Sequence, residues 1–86
     1  MIKILYFTSN TCSPCRVMAP IIEQFSVNNP DIYVDKIDTD YSKHIAEQYG
    51  VKSVPTLLFL KNNQVVNRSS GIMSRGQIEG VVYSIH

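Results

Sequence analysis

The stretch that decides the fold is Ile2-Lys3-Ile4-Leu5-Tyr6-Phe7 followed, after Thr8 to Thr11, by Cys12-Ser13-Pro14-Cys15. Apart from Lys3 the first segment is apolar and β-branched or aromatic, the pattern of a central strand buried on both faces. Past the cysteines, Val17, Met18, Ile21, Ile22 and Phe25 recur at helical spacing. Pro14 stands in the first turn, where a helix tolerates proline because no amide is needed there. A strand therefore feeds a helix that begins at the cysteine pair. Pro20 lies inside the helical pattern and is expected to kink it without ending it, and Asn28-Asn29-Pro30 supplies the stop.

Working outward, Ile32 to Ile37 alternates as a second strand, and a helical connection places it parallel to the first in one right-handed βαβ unit. Asp40 is expected to cap a short helix running to Tyr49, with Ile45, Ala46 and Tyr49 facing inward and Gly50 ending it. Thr56 to Leu60 and Gln64 to Arg68 form an antiparallel hairpin around Lys61-Asn62-Asn63, whose asparagines accept the positive φ of a tight turn. Ser74 and Gln77 have capping-box spacing ahead of a last helix with Ile78, Val81, Val82 and Ile85 on its apolar face. The expected fold class is α/β, in the order βαβαββα: a four-stranded mixed sheet flanked by three helices, with residues 1–86 as one domain.

Composition limits the functions. With 44% hydrophobic and 17% charged residues the chain is expected to pack a core and not to be disordered. A net charge of +1, with both signs interleaved, leaves no electrostatic footprint for nucleic acid or an anionic membrane. Ile4 to Phe7 is too short for a signal-peptide core and no run of about 18 apolar residues reads as a membrane span, so a cytoplasmic monomer is expected. Two cysteines do not make the scaffold of a disulfide-rich secreted domain.

The pair is therefore read as chemistry. At a helix start, backbone amides and the helix dipole favour a thiolate on the first cysteine, making Cys12 the natural nucleophile and Cys15 the resolving thiol. The same spacing occurs in zinc sites, but a tetrahedral site needs about four ligands, and His44 and His86 lack the usual short spacing. Haem attachment requires a histidine where Arg16 stands. Asp35, Asp38 and Asp40 lack the loop pattern of a calcium site and read as solvated carboxylates and a helix cap. His44 reads as a surface residue, and Tyr33, Tyr41, Tyr49 and Tyr83 as amphipathic packing residues. Val54-Pro55 is compatible with a proline that opens a strand, or with a wall facing the cysteines.

Taken together, Cys12-Ser13-Pro14-Cys15 at a strand-to-helix junction, Pro20 within the helix, Tyr49-Gly50-Val51, Ser53-Val54-Pro55-Thr56 and Gly71 ahead of the last helix resemble the thioredoxin family over nearly the whole chain. The resemblance implies a protein-disulfide oxidoreductase with Cys12 and Cys15 catalytic and no metal or organic cofactor. It also implies a cis peptide before Pro55 and a substrate groove formed by Thr11, Cys12, Ser13, Val54, Pro55, Ser70, Gly71 and Ile72. Disulfide-containing proteins and a thioredoxin reductase are the implied partners. The chain departs from the family in four respects. It starts directly with the strand leading to the cysteines, close to a glutaredoxin-like core. Thr11 stands where tryptophan is usual, and Ser13 where glycine is. Tyr6 takes the position of the buried aspartate, while Lys36, commonly near that carboxylate, is retained; with Pro14 these residues are expected to tune activity. A phenol is a poor base near neutrality, so Lys36, Asp38 or solvent is expected to assist Cys15. The alternatives are a glutathione-dependent, glutaredoxin-like enzyme, for which the chain lacks a glycine pair followed by aspartate at Ser70-Gly71, and a binding module that uses the groove to hold a partner, with redox activity incidental.

Overall fold

The computed structural model describes residues 1–86. Its elements run β1 (Ile2–Thr8), α1 (Ser13–Asn28), β2 (Tyr33–Asp38), α2 (Lys43–Gln48), β3 (Thr56–Lys61), β4 (Gln64–Ser70) and α3 (Arg75–Ile85). The expected βαβαββα order is present, and the strands form one sheet in the order β2-β1-β3-β4. β1 pairs parallel with β2 and antiparallel with β3, which in turn pairs antiparallel with β4. No helix is long and apolar enough to cross a membrane.

The continuous apolar runs of β1 and β3 follow from burial on both faces. Strand alternation sends Ile2, Ile4 and Tyr6 of β1, with Leu57 and Phe59 of β3, to one side, where Met18, Ile22 and Phe25 of α1 and Ile78 and Val82 of α3 cover them. Leu5, Phe7, Leu58 and Leu60 point the other way and meet Ile37 and Ala46, with Ile45, Tyr49, Val51 and Val54 packed around them. The second layer is thinner because α2 has only six residues; Tyr49 extends it by setting its ring edge-on to Phe7, centroids 6.3 Å apart.

Local chemistry explains most of the boundaries. α1 continues through Pro20, which is exposed, at the loss of one hydrogen bond of the helix ladder. Asn62 (φ 53°) and Asn63 (φ 68°) both adopt the left-handed region that a two-residue hairpin requires. Gly50 (φ 68°) ends the α2 turn, and Arg68 on β4 donates to the Tyr49 carbonyl there at 2.6 Å. The capping box of α3 is complete, with Ser74 accepting from the Gln77 amide and Gln77 accepting from the Ser74 amide.

Two expectations need correction. Asp40 does not cap α2, which starts later with Ser42 as its N-cap residue; the Asp40 carboxylate instead accepts a hydrogen bond from Ser9, a residue 31 positions away. Three of the four tyrosines assigned to packing are open to solvent, Tyr33 at 61%, Tyr41 at 82% and Tyr83 at 78%, and only Tyr49 packs. A tyrosine's hydroxyl is satisfied by water at the surface, so amphipathic spacing alone does not bury it.

Candidate active site

The first cysteine is held by the helix it precedes. Cys12 is the N-cap residue of α1, with extended backbone (φ −99°, ψ 112°), and its Sγ accepts a hydrogen bond from the Cys15 amide at 3.2 Å. That amide is one of the orphan donors of a helix start, and together with the positive end of the helix dipole it favours negative charge on this sulfur. Cys12 and Cys15 are joined in a disulfide, their Cα atoms 5.2 Å apart. Exposure separates the two sulfurs: Cys12 is half-buried at the rim, whereas Cys15 is 3% exposed and turned into the core side of α1.

Facing the pair, the peptide bond between Val54 and Pro55 is cis, as the resemblance implied. The Val54 carbonyl oxygen lies 3.6 Å from the Cys12 Sγ. The sulfur has no proton while the disulfide is closed, so this is a contact; reduction gives the thiol an acceptor in place, working against the charge that the Cys15 amide favours. The Val54 amide makes no backbone hydrogen bond. Pro55 itself is fully buried, and its carbonyl accepts from the Gly71 amide at 2.8 Å. Gly71 adopts φ 92°, a conformation a side chain would disfavour, which lets its amide turn back onto Pro55. Thr56 donates to the Ser53 carbonyl at 2.7 Å and lies 3.5 Å from the Ser70 hydroxyl. These bonds bring Ser70 and Gly71, at the end of β4, against the proline segment. Ile72 follows, half exposed, and Ser13 and Pro14 are exposed on the first turn of α1.

Behind the cysteines, Tyr6 is 2% exposed and its hydroxyl donates to the Cys15 carbonyl at 3.3 Å. The phenol thus lies next to the second cysteine's backbone, where it is a hydrogen-bond donor. Lys36 is opposite Tyr6 in the β1–β2 register, but its side chain is exposed along a groove shared with Ala19, Ile22 and Glu23 of α1. Asp38 is engaged locally, accepting from the Asp40 amide at 2.9 Å. Tyr6→Phe is expected to lower stability by about 0.5–1.5 kcal/mol, the net value of one hydrogen bond, and to leave the resolving step unchanged. Urea unfolding and stopped-flow kinetics of the mixed disulfide check the two halves separately.

Sequence reasoning missed the residue that ties this corner together. Ser9, 9% exposed, donates its hydroxyl proton to Asp40 Oδ2 at 2.8 Å. With that proton committed, the Thr11 hydroxyl 3.1 Å away must donate to Ser9 Oγ, which also accepts from the Thr11 amide at 3.3 Å. The Thr11 side chain is therefore directed back at Ser9. The only signal in the sequence is a serine directly after a buried strand.

Comparison with known proteins agrees with this geometry. The family model named Thioredoxin matches residues 2–84. A thioredoxin of Chlamydia trachomatis is 33% identical over 75 residues, covering 87% of this chain and 74% of the relative. A thioredoxin-like protein of Synechocystis is 42% identical over 73 residues, covering 84% and 70%. Among solved structures, Fasciola hepatica thioredoxin superposes with a TM-score of 0.88 at 29% identity, covering 95% of this chain and 79% of that one. A match over nearly the full length, carrying a closed Cys12–Cys15 pair at the head of α1, means that the chain belongs to the thioredoxin family and is a thioredoxin-like disulfide oxidoreductase.

Proposed function

We propose that this protein reduces disulfides in client proteins, with Cys12 attacking, Cys15 resolving, and a thioredoxin reductase restoring the dithiol. The observation that carries the reading is the asymmetry of the pair: a sulfur at the rim that accepts a helix-start amide, beside one that is 3% exposed. In the forward cycle the Cys12 thiolate attacks one sulfur of the client disulfide and expels the other as a thiolate, leaving a mixed disulfide. Cys15 then loses its proton, and its thiolate attacks the Cys12 sulfur, expelling the client's second thiolate. The client has gained two electrons and, after protonation, two thiols; the protein has lost two electrons to its own disulfide.

Val54, Pro55, Ser70, Gly71 and Ile72 are proposed as the wall along which the client's extended segment lies, with Thr11 and Ser13 on the cysteine side. The free Val54 amide supports that reading because an extended chain needs a backbone partner beside the sulfur. A second reading, exchange with glutathione, draws on a cavity of about 430 Å³ that adjoins Val54 and is lined by Lys43 and Lys52 together with Asp40 and Glu47. Two coupled assays on the same preparation separate them. Rapid NADPH oxidation with thioredoxin reductase and a protein disulfide, and little with glutathione and glutathione reductase, is expected. The reverse ranking favours the glutathione reading and contradicts the proposal.

A further inference from the structure

The loop that carries Cys12 begins at the Ser9 hydroxyl, and that hydroxyl donates to a carboxylate from the segment just after β2. We infer that Ser9 is a positioning residue for Cys12, with Asp40 as its anchor, acting through the loop and touching neither sulfur nor client. The inference rests on the proposed role of Cys12 as the attacking sulfur.

The hydrogen bonds form a continuous path. Asp40 Oδ2 accepts from Ser9 Oγ at 2.8 Å, and Ser9 Oγ accepts from the Thr11 amide and hydroxyl at 3.3 and 3.1 Å. The Ser9 carbonyl accepts from the Cys12 amide at 3.3 Å. Just upstream, the Thr8 carbonyl accepts from both the amide (2.9 Å) and the hydroxyl (3.3 Å) of Thr39. Asp40 is oriented in its turn by donation from its own amide to Asp38 Oδ1 at 2.9 Å. Ser9 and Thr11 thus have their side-chain partners in each other and in Asp40, while Cys12 is held by the Ser9 carbonyl on one side and by Cys15 of α1 on the other.

The consequence for the reaction is geometric. The Cys15 amide favours charge on Cys12 only while the N-cap conformation keeps Sγ 3.2 Å from it. Ser9 stands between strand and cap. Without its bond to Asp40, the Ser9 hydroxyl regains its rotational freedom, Thr11 loses a fixed acceptor, and Cys12 samples positions in which the amide no longer reaches the sulfur. Its charge-assisted bond is then made for a smaller fraction of the time.

Charge and hydrogen bond can be told apart. Removing the Asp40 carboxylate takes away a negative charge near a developing thiolate, which by itself favours the thiolate and speeds its reactions. Loss of the anchor does the opposite. Asp40→Asn removes the charge but keeps an amide oxygen that accepts from Ser9; Asp40→Ala removes both.

The test is the second-order rate of Cys12 alkylation by iodoacetamide in the reduced protein at one fixed pH, read from the modified peptide. Ser9→Ala and Asp40→Ala are expected to slow Cys12 about fivefold, the effect of one hydrogen bond's net worth, with Asp40→Asn restoring the rate to within about twofold of the unsubstituted protein. Equal rates in the two Asp40 variants, or an unchanged rate in folded Ser9→Ala, overturn the assignment. If Ser9→Ala does not fold, the Asp40 pair decides alone, because Asp40 is exposed and its replacement removes no core. Preferential alkylation of Cys15 in the unsubstituted protein refutes the role of Cys12 itself and is distinguishable from both outcomes.

Discussion

Cys12→Ser is expected to lower the rate of client-disulfide reduction by at least about a thousandfold, because exchange needs a thiolate and a serine hydroxyl stays protonated and does not attack sulfur. The same substitution is expected to leave the reduced protein folded. Cys12 is the N-cap residue of α1, and serine is among the preferred residues there; its oxygen takes over as acceptor for the Cys15 amide. A large loss of rate with little loss of stability separates chemistry from folding at this position. Initial rates in a reductase-coupled assay, with circular dichroism melts of both reduced proteins, measure the two effects. Residual activity within tenfold of the unsubstituted protein would mean that a different group attacks.

Phe59→Ala is expected to have the reverse profile. Phe59 is fully buried at the centre of β3, paired in register with Ile4, in the core beneath α1 and α3. Truncating a buried phenylalanine costs about 3–5 kcal/mol through lost transfer energy and the cavity left behind. A domain of this size has roughly 5–15 kcal/mol in total. The urea midpoint is therefore expected to fall steeply with no change in slope, while any protein still folded keeps its reactivity at Cys12. Val65→Ala on β4, where the valine is 43% exposed, is expected to stay within about 0.5 kcal/mol. Comparable losses at the two positions would contradict the placement of the core.

The contrast between these residues also explains what could be read from the sequence. Runs such as Ile4-Leu5-Tyr6-Phe7 and Thr56-Leu57-Leu58-Phe59-Leu60 are legible because a strand covered on both faces admits few polar residues. Asn62-Asn63 and the Ser74/Gln77 box are legible because each satisfies a local backbone demand within four residues. Asp40 was not, for the converse reason: its local option, capping α2, lost to a bond with Ser9 that exists only after β1 and β2 have paired. Ser9 itself carries no pattern, since a lone buried hydroxyl is defined by the partners that tertiary structure brings. Tyr33, Tyr41 and Tyr83 show the limit of spacing as evidence, because a residue with an apolar body and a polar tip fits either side of the surface.

At the site, the cysteine pair and the Val54-Pro55 wall were legible together, whereas the direction of the Tyr6 hydroxyl was not. The resemblance to thioredoxins put Tyr6 at the position of the family's buried aspartate; only the packed structure sends its proton to the Cys15 carbonyl.

The most direct measurement is the identity of the sulfur that holds a trapped client. Each reduced single-cysteine variant, Cys15→Ser and Cys12→Ser, is mixed with a protein disulfide, quenched with acid and mapped by peptide mass spectrometry. The account expects a stable mixed disulfide on Cys12 in the Cys15→Ser protein and essentially none on Cys15 in the Cys12→Ser protein. A client held on Cys15, with none on Cys12, would contradict it.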